Sequence, residues 1–225
     1  MSKDRNLPKR WKKTVIIPII KPGQKRSDEV SKFRPINLLN TRGKVLEKIM
    51  INRINHHVYS RGYMNENQYG FRQQKCTIDA AMAIKDFVQQ GPESGEVIAL
   101  VSLDIQGAFD AAWCPGILNE LRKYKCPKNL YELTNSYFSQ RIASWSTNSL
   151  RMNKEISRGC PQVSSSGPGI WNLQYKSLLE QRYMKRTKVV AFADDLIITT
   201  REELARAVEN YVNVELNKTK CIGKE

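Results

Sequence analysis

The sequence predicts an α+β fold with a central antiparallel sheet and flanking helices. Three observations predict it. Short β-branched runs alternate with helix-period stretches along the chain, two such runs are separated only by Asp194-Asp195 as in a tight hairpin, and there is no internal repeat or low-complexity tract.

The elements follow in order. Thr14 to Ile20 is a β-branched run closed by Lys21-Pro22-Gly23, which reads as a strand entering a turn, and the polar stretch Gln24 to Lys32 reads as a loop. Between Lys44 and Tyr59, Leu46, Met50, Ile54 and Val58 recur every four positions ahead of Gly62, the pattern of an amphipathic helix. Thr77 opens a second helix through Val88, which Gly91-Pro92 is expected to end. The apolar run Val97 to Leu103 reads as a buried strand leading into Asp104. Pro115 and Pro168 suit the first turns of helices over Ile117 to Tyr124 and Gly169 to Tyr183, with a strand from Arg141 to Thr147 between them. Val189 to Ala193 and Leu196 to Thr200 form the hairpin, and Leu204, Val208, Tyr211 and Val212 mark a final helix.

Composition narrows the partners. With 225 residues the chain can bury a core, and 37 Lys and Arg against 22 Asp and Glu give a net charge of +15. A pI near 9.7 suits a polyanion such as nucleic acid, although a solvated basic surface alone would give the same number. Cys76, Cys114, Cys126, Cys160 and Cys221 form no C-x-x-C pair, so neither a zinc site nor a disulfide framework is indicated, and reduced thiols inside a cell are expected. The apolar run Val15 to Ile20 is broken by Pro18 and falls short of the roughly 20 residues of a membrane span. The basic N-terminal stretch MSKDRNLPKRWKK lacks the apolar core of a signal peptide.

The chemistry centres on carboxylates. Asp104 at a strand end and Asp194-Asp195 at a hairpin tip need a partner for their charge, and a shared divalent cation supplies one. Magnesium takes a few carboxylates plus phosphate oxygens, and two such ions about 4 Å apart serve phosphoryl transfer. An Asp-Asp pair in a turn is by itself common for local hydrogen-bonding reasons, so the surrounding residues carry the weight.

Those residues resemble the reverse transcriptase family. SLDIQGAFD resembles its first catalytic motif, RGCPQVSSSGP its template and nucleotide motif, and FADDL its second catalytic motif. TVIIPIIKPG, KFRPINLLNTRGKVLEKI and NQYGFR resemble the fingers motifs of non-LTR retrotransposon enzymes of the insect jockey and R1-like groups. The resemblance implies polymerase fingers over residues 1–95 and a palm over 96–225, shortened at its C-terminal end and without a thumb. It implies RNA-directed DNA synthesis with two Mg²⁺ ions, or Mn²⁺ in their place, on an RNA template, a DNA primer and dNTPs. It also implies an intracellular setting, either the nucleus or a cytoplasmic ribonucleoprotein.

Carried over by residue, the resemblance makes Asp104, Asp194 and Asp195 the metal-binding catalytic aspartates, with Asp195 the weaker or outer ligand. Phe109, five residues after Asp104, falls at the steric gate that would crowd a ribose 2′-hydroxyl. Arg34 matches a fingers arginine expected to grip the triphosphate, and Lys21 is a second candidate for phosphate or template backbone. Gln162 matches a residue beside the nascent base pair. His56, His57, Glu66 and Asp110 have no partner at triad or ligand spacing and are assigned structural or surface roles.

The chain departs from the family in two places. Val163 stands where glycine usually follows the Gln of the CPQ motif, and a β-branched residue there would strain a backbone that needs positive φ. LNKTKC follows the last helix closely, as if a segment were deleted, so Lys218 and Lys220 are not expected to act as the family's lysine. These departures raise a second reading, a catalytically inactive remnant that only binds nucleic acid. An RNA-dependent RNA polymerase is disfavoured by Ala193, where such enzymes place glycine, and by Phe109. The sequence leaves the template RNA and the oligomeric state open.

Overall fold

The computed structural model describes residues 6–23, 25, 29–105, 107–146, 150–160 and 164–222. The strands are β1 (Lys13–Ile20), β2 (Phe33–Leu39), β3 (Val97–Asp104), β4 (Arg141–Ser146), β5 (Arg151–Ile156), β6 (Thr187–Phe192) and β7 (Asp195–Glu202). The helices are α1 (Thr41–Ser60), α2 (Thr77–Glu93), α3 (Ala108–Ala111), α4 (Cys114–Lys123), α5 (Lys128–Phe138), α6 (Gly167–Leu179) and α7 (Ala205–Ile222). The fold class is the mixed α+β one the sequence predicts, with the strands divided between two sheets, β2-β1-β4-β5 and β3-β7-β6.

Two compact units, each discontinuous in sequence, make up the chain. The first joins Met1–Tyr63 to Gly107–Trp171 and the second joins Met64–Gln106 to Asn172–Glu225. The chain passes from one unit to the other after Tyr63, Gln106 and Trp171.

The first unit holds the four-stranded sheet, antiparallel except for the β1–β4 pair. β2 was not legible as a strand, because Pro35 interrupts it. In the ladder Pro35 is the register partner of Pro18, and β4 reaches β1 only over Lys13–Val15, so neither missing N–H breaks a longer ladder. α1 begins at Thr41, ahead of the expected Lys44, because the Asn40 side chain accepts the Arg42 N–H at 3.0 Å and caps it. Its Met50, Ile51, Ile54 and Val58 are buried, and α5, also absent from the sequence reading, packs on both α1 and α4. Thr134 and Ser136 occupy buried positions of α5 and hide its apolar stripe.

The second unit holds β3-β7-β6, with α2 packed on all three strands and α7 on β3 and β7. β3 was expected to be buried, yet Leu100 is 51% exposed. α2 does not stop at Gly91-Pro92 but runs to Glu93, because a proline in the last turn removes only one intrahelical bond. LNKTKC does not follow the final helix but lies within α7, and the Lys218 ammonium donates to the Arg182 carbonyl at 3.0 Å and pairs with Glu215 at 2.9 Å. α6 ends at Leu179 rather than Tyr183. No described helix is long and apolar enough to cross a membrane.

Candidate active site

The aspartates are placed by strand register. Asp104, the last residue of β3, is the register partner of Asp195, the first residue of β7. Directly opposed residues in an antiparallel pair share a face, with Cβ atoms about 4.5–5.5 Å apart. Phe192 and Asp195 are register partners too, so Ala193 and Asp194 are the two central residues of the turn between β6 and β7. Ala193 has a φ of +57°, a conformation that costs an L-residue about 1–2 kcal/mol. The Ile105 N–H donates to the Asp194 carbonyl at 3.4 Å, which ties the end of β3 to that turn.

Asp104 and Asp195 are exposed and Asp194 is half-buried. Among the described residues no basic side chain forms a salt bridge with any of the three. No three His, Cys, Asp or Glu side chains among the described residues converge as a ready-made metal cage. The donor set is thus open and made only of hard oxygens, which fits Mg²⁺, an ion that uses one or two carboxylates and completes its shell with water and phosphate. Tyr175 of α6 is held above its ordinary phenol value, first by burial, then by Tyr183 and by the charges of Asp194 and Asp195.

The other candidates lie in the first unit. Arg34 is exposed on β2 opposite Ile19, and the Lys21 N–H donates to the Lys32 carbonyl at 2.9 Å, so Arg34 and Lys21 mark one end of the β1–β2 ladder. Phe109 on α3 is half-buried with its ring 5.8 Å from that of Trp171. Its carbonyl accepts the Cys160 N–H at 2.7 Å, and the Gly159 N–H donates to the Ala112 carbonyl at 2.8 Å. Gly159 has a φ of +79°, and a Cβ there would lie 2.7 Å from the Asp110 carbonyl oxygen. Only glycine therefore lets the start of the CPQ segment lie along the Phe109 turn. Gln162 and Val163 fall outside the described residues.

Beyond Val163 the same segment is anchored by a buried polar network that the sequence reading missed. Tyr137 donates its hydroxyl to one Glu47 oxygen at 2.6 Å, the Ser165 N–H donates to the other at 3.2 Å, and the Ser166 hydroxyl donates to Tyr137 at 3.3 Å. Burial raises the Glu47 carboxyl above its usual range, against the pull of the Tyr137 and Ser165 bonds and of Lys44 and Arg141. Arg141, buried, donates to the Gly159 carbonyl at 2.7 Å and the Arg158 carbonyl at 3.1 Å. Burial pushes the adjacent Cys160 thiol up to about 12, so it is inert. His57 bonds the Tyr124 carbonyl at 2.8 Å and Glu66 pairs with Arg72 at 2.9 Å.

Comparison with known proteins identifies the family. The family described as reverse transcriptase (RNA-dependent DNA polymerase) matches residues 19–222. A 115 kDa protein in the type-1 retrotransposable element R1DM of Drosophila melanogaster is 36% identical over 89% of the chain and 19% of its own length. The RNA-directed DNA polymerase from mobile element jockey of Drosophila funebris is 30% identical over 95% of the chain and 25% of its own length. The chain thus spans about a fifth to a quarter of these relatives. Among solved structures, telomerase from Candida albicans, in complex with a fragment of telomeric RNA, superposes with a TM-score of 0.61 at 13% identity. That match covers 94% of the chain and 42% of the telomerase. The fold is shared with that protein; the chain belongs to the reverse transcriptase family, as a domain of the non-LTR retrotransposon type similar to jockey and R1.

Proposed function

We propose that this domain catalyses RNA-directed DNA synthesis, extending a DNA primer on an RNA template with dNTPs. The observation that carries the reading is the register that sets Asp104 opposite Asp195 with Asp194 in the adjoining turn. Asp104, Asp194 and Asp195 would hold two Mg²⁺ ions, or Mn²⁺. When bound, the metal makes a primer 3′-hydroxyl more acidic and offsets charge on the leaving pyrophosphate.

The protein's own groups do the rest. Arg34 grips triphosphate oxygens with its planar fork, and Lys21 adds a point charge toward phosphate. Phe109 would exclude a ribose 2′-hydroxyl with its ring, and Gln162, by the motif it belongs to, would contact the nascent base pair. The net charge of +15 favours a polyanionic template and primer. No finding favours the non-catalytic remnant over this reading.

Primer extension on an RNA template with dNTPs and Mg²⁺ tests the proposal. Incorporation by the chain supports it, and a folded chain that incorporates nothing with either Mg²⁺ or Mn²⁺ overturns it.

A further inference from the structure

We infer that Gly70 is a positioning residue for the Asp194 turn, and that the segment Asn67–Gly70 is a strap fixing that turn from behind. The strap lies along the open edge of β6. The Tyr69 N–H donates to the Ala191 carbonyl at 2.8 Å and the Ala191 N–H donates to the Asn67 carbonyl at 2.9 Å, with Gln68 and Ala191 bridged in parallel.

Two buried side chains clamp it. The Gln68 amide donates to Asn172 Oδ1 at 2.9 Å, and Asn172 Nδ2 donates to the Gly70 carbonyl at 3.0 Å, both side chains being 1% exposed. At Gly70 the backbone reaches the turn itself. A Cβ added there would lie 2.8 Å from Ala193 Cα and 2.8 Å from the Phe192 carbonyl carbon, with the Ala193 nitrogen nearer still. These are backbone atoms with no flexible end that can move aside, so any side chain at 70 displaces the residue preceding Asp194.

The φ of Gly70 is not in the left-handed region, so alanine is excluded by space alone. Ala193 sits at φ +57°, a strained conformation that persists only where its surroundings determine it. The strap is such a surrounding. Gly70 has no side chain with which to bind substrate or metal, and it acts through the position of Asp194.

The catalytic consequence rests on the polymerase reading, whereas the structural one does not, and the test separates them. In Gly70→Ala the amide resonances of Ala193, Asp194 and Asp195 shift while those of α7 stay in place, and hydrogen exchange at Tyr69 and Ala191 speeds up by about tenfold. If the parent chain extends primers, kcat falls about a hundredfold with the KM for dNTP within about twofold of the parent, as for a misplaced reacting group. Asn172→Ala removes the clamp without adding an atom, so it produces the same shifts in smaller measure even where Gly70→Ala fails to fold. Unchanged resonances at Ala193–Asp195 in either folded variant overturn the inference. A parent that extends nothing while the shifts appear overturns the polymerase reading and leaves the role of Gly70 standing.

Discussion

Asp104 and Asp195 close the β3–β7 ladder as its final register pair, at the end of a run that begins with Val97 opposite Glu202. A slip of one residue would send one aspartate to the other face of the sheet, so every pair behind them holds the two carboxylates together. Two like charges directly opposed, with no described basic partner, destabilise the fold that carries them.

Asp104→Asn should therefore stabilise the metal-free domain, by about 0.5 kcal/mol, the scale of a cross-strand like-charge pair. Urea unfolding without divalent ions measures this. Addition of Mg²⁺ should then raise the stability of the parent more than that of the variant. A variant less stable than its parent without metal would contradict the electrostatic reading of the pair.

Glu47 makes a prediction about pH. Its carboxyl is raised above its ordinary value of 4.5, chiefly by burial, so the fold favours the protonated form. Its contribution to stability is full below the unfolded value and is lost as pH rises through the raised folded value. Glu47→Gln removes that loss, so the stability of the variant relative to the parent should improve between about pH 4 and about pH 7. Unfolding curves at both pH values give the comparison, and a difference independent of pH would refute it.

Phe109 bears on sugar selection. Phe109→Ala opens the space against which a 2′-hydroxyl would clash, so incorporation of ribonucleotides should rise relative to deoxynucleotides by at least about tenfold, the effect of roughly 1.4 kcal/mol of steric discrimination. Single-nucleotide incorporation with each sugar measures the ratio. A variant that loses both activities in proportion would assign Phe109 to packing against Trp171 instead, 5.8 Å away.

Arg34 is exposed and is proposed to contact phosphate. Binding of an RNA–DNA hybrid with dNTP should weaken linearly with log salt, and Arg34→Ala should reduce the slope by about one. An unchanged slope would remove Arg34 from the phosphate contacts.

Much of the site is local in sequence and therefore legible. The apolar runs on both sides of Asp194-Asp195 define the β6–β7 hairpin and the run before Asp104 defines β3, but the turn is Ala193-Asp194, one residue earlier than the sequence predicts, and Asp195 already belongs to β7. What escaped is what tertiary contact decides. Pro35 reads against a strand until Pro18 is seen opposite it. α5 has no visible stripe, because Thr134 satisfies its hydroxyl on the Leu130 carbonyl at 2.8 Å and Ser136 accepts the Leu7 N–H at 2.9 Å, which lets polar residues fill core positions. Glu47 looks like a solvated charge on α1 until Tyr137 and Ser165 are seen to hold it. Nothing within Tyr69-Gly70-Phe71 announces that the backbone of Ala193 occupies the space of a side chain.

The most direct test of the account is Mg²⁺-dependent primer extension on an RNA template by the parent and by Asp194→Asn, each shown to be folded. The account predicts extension by the parent that rises with Mg²⁺ and falls about a thousandfold or more in the variant, the loss of several kcal/mol of transition-state stabilisation. Extension by Asp194→Asn at the parental rate would contradict it, because the turn after Ala193 would then hold no group the reaction needs.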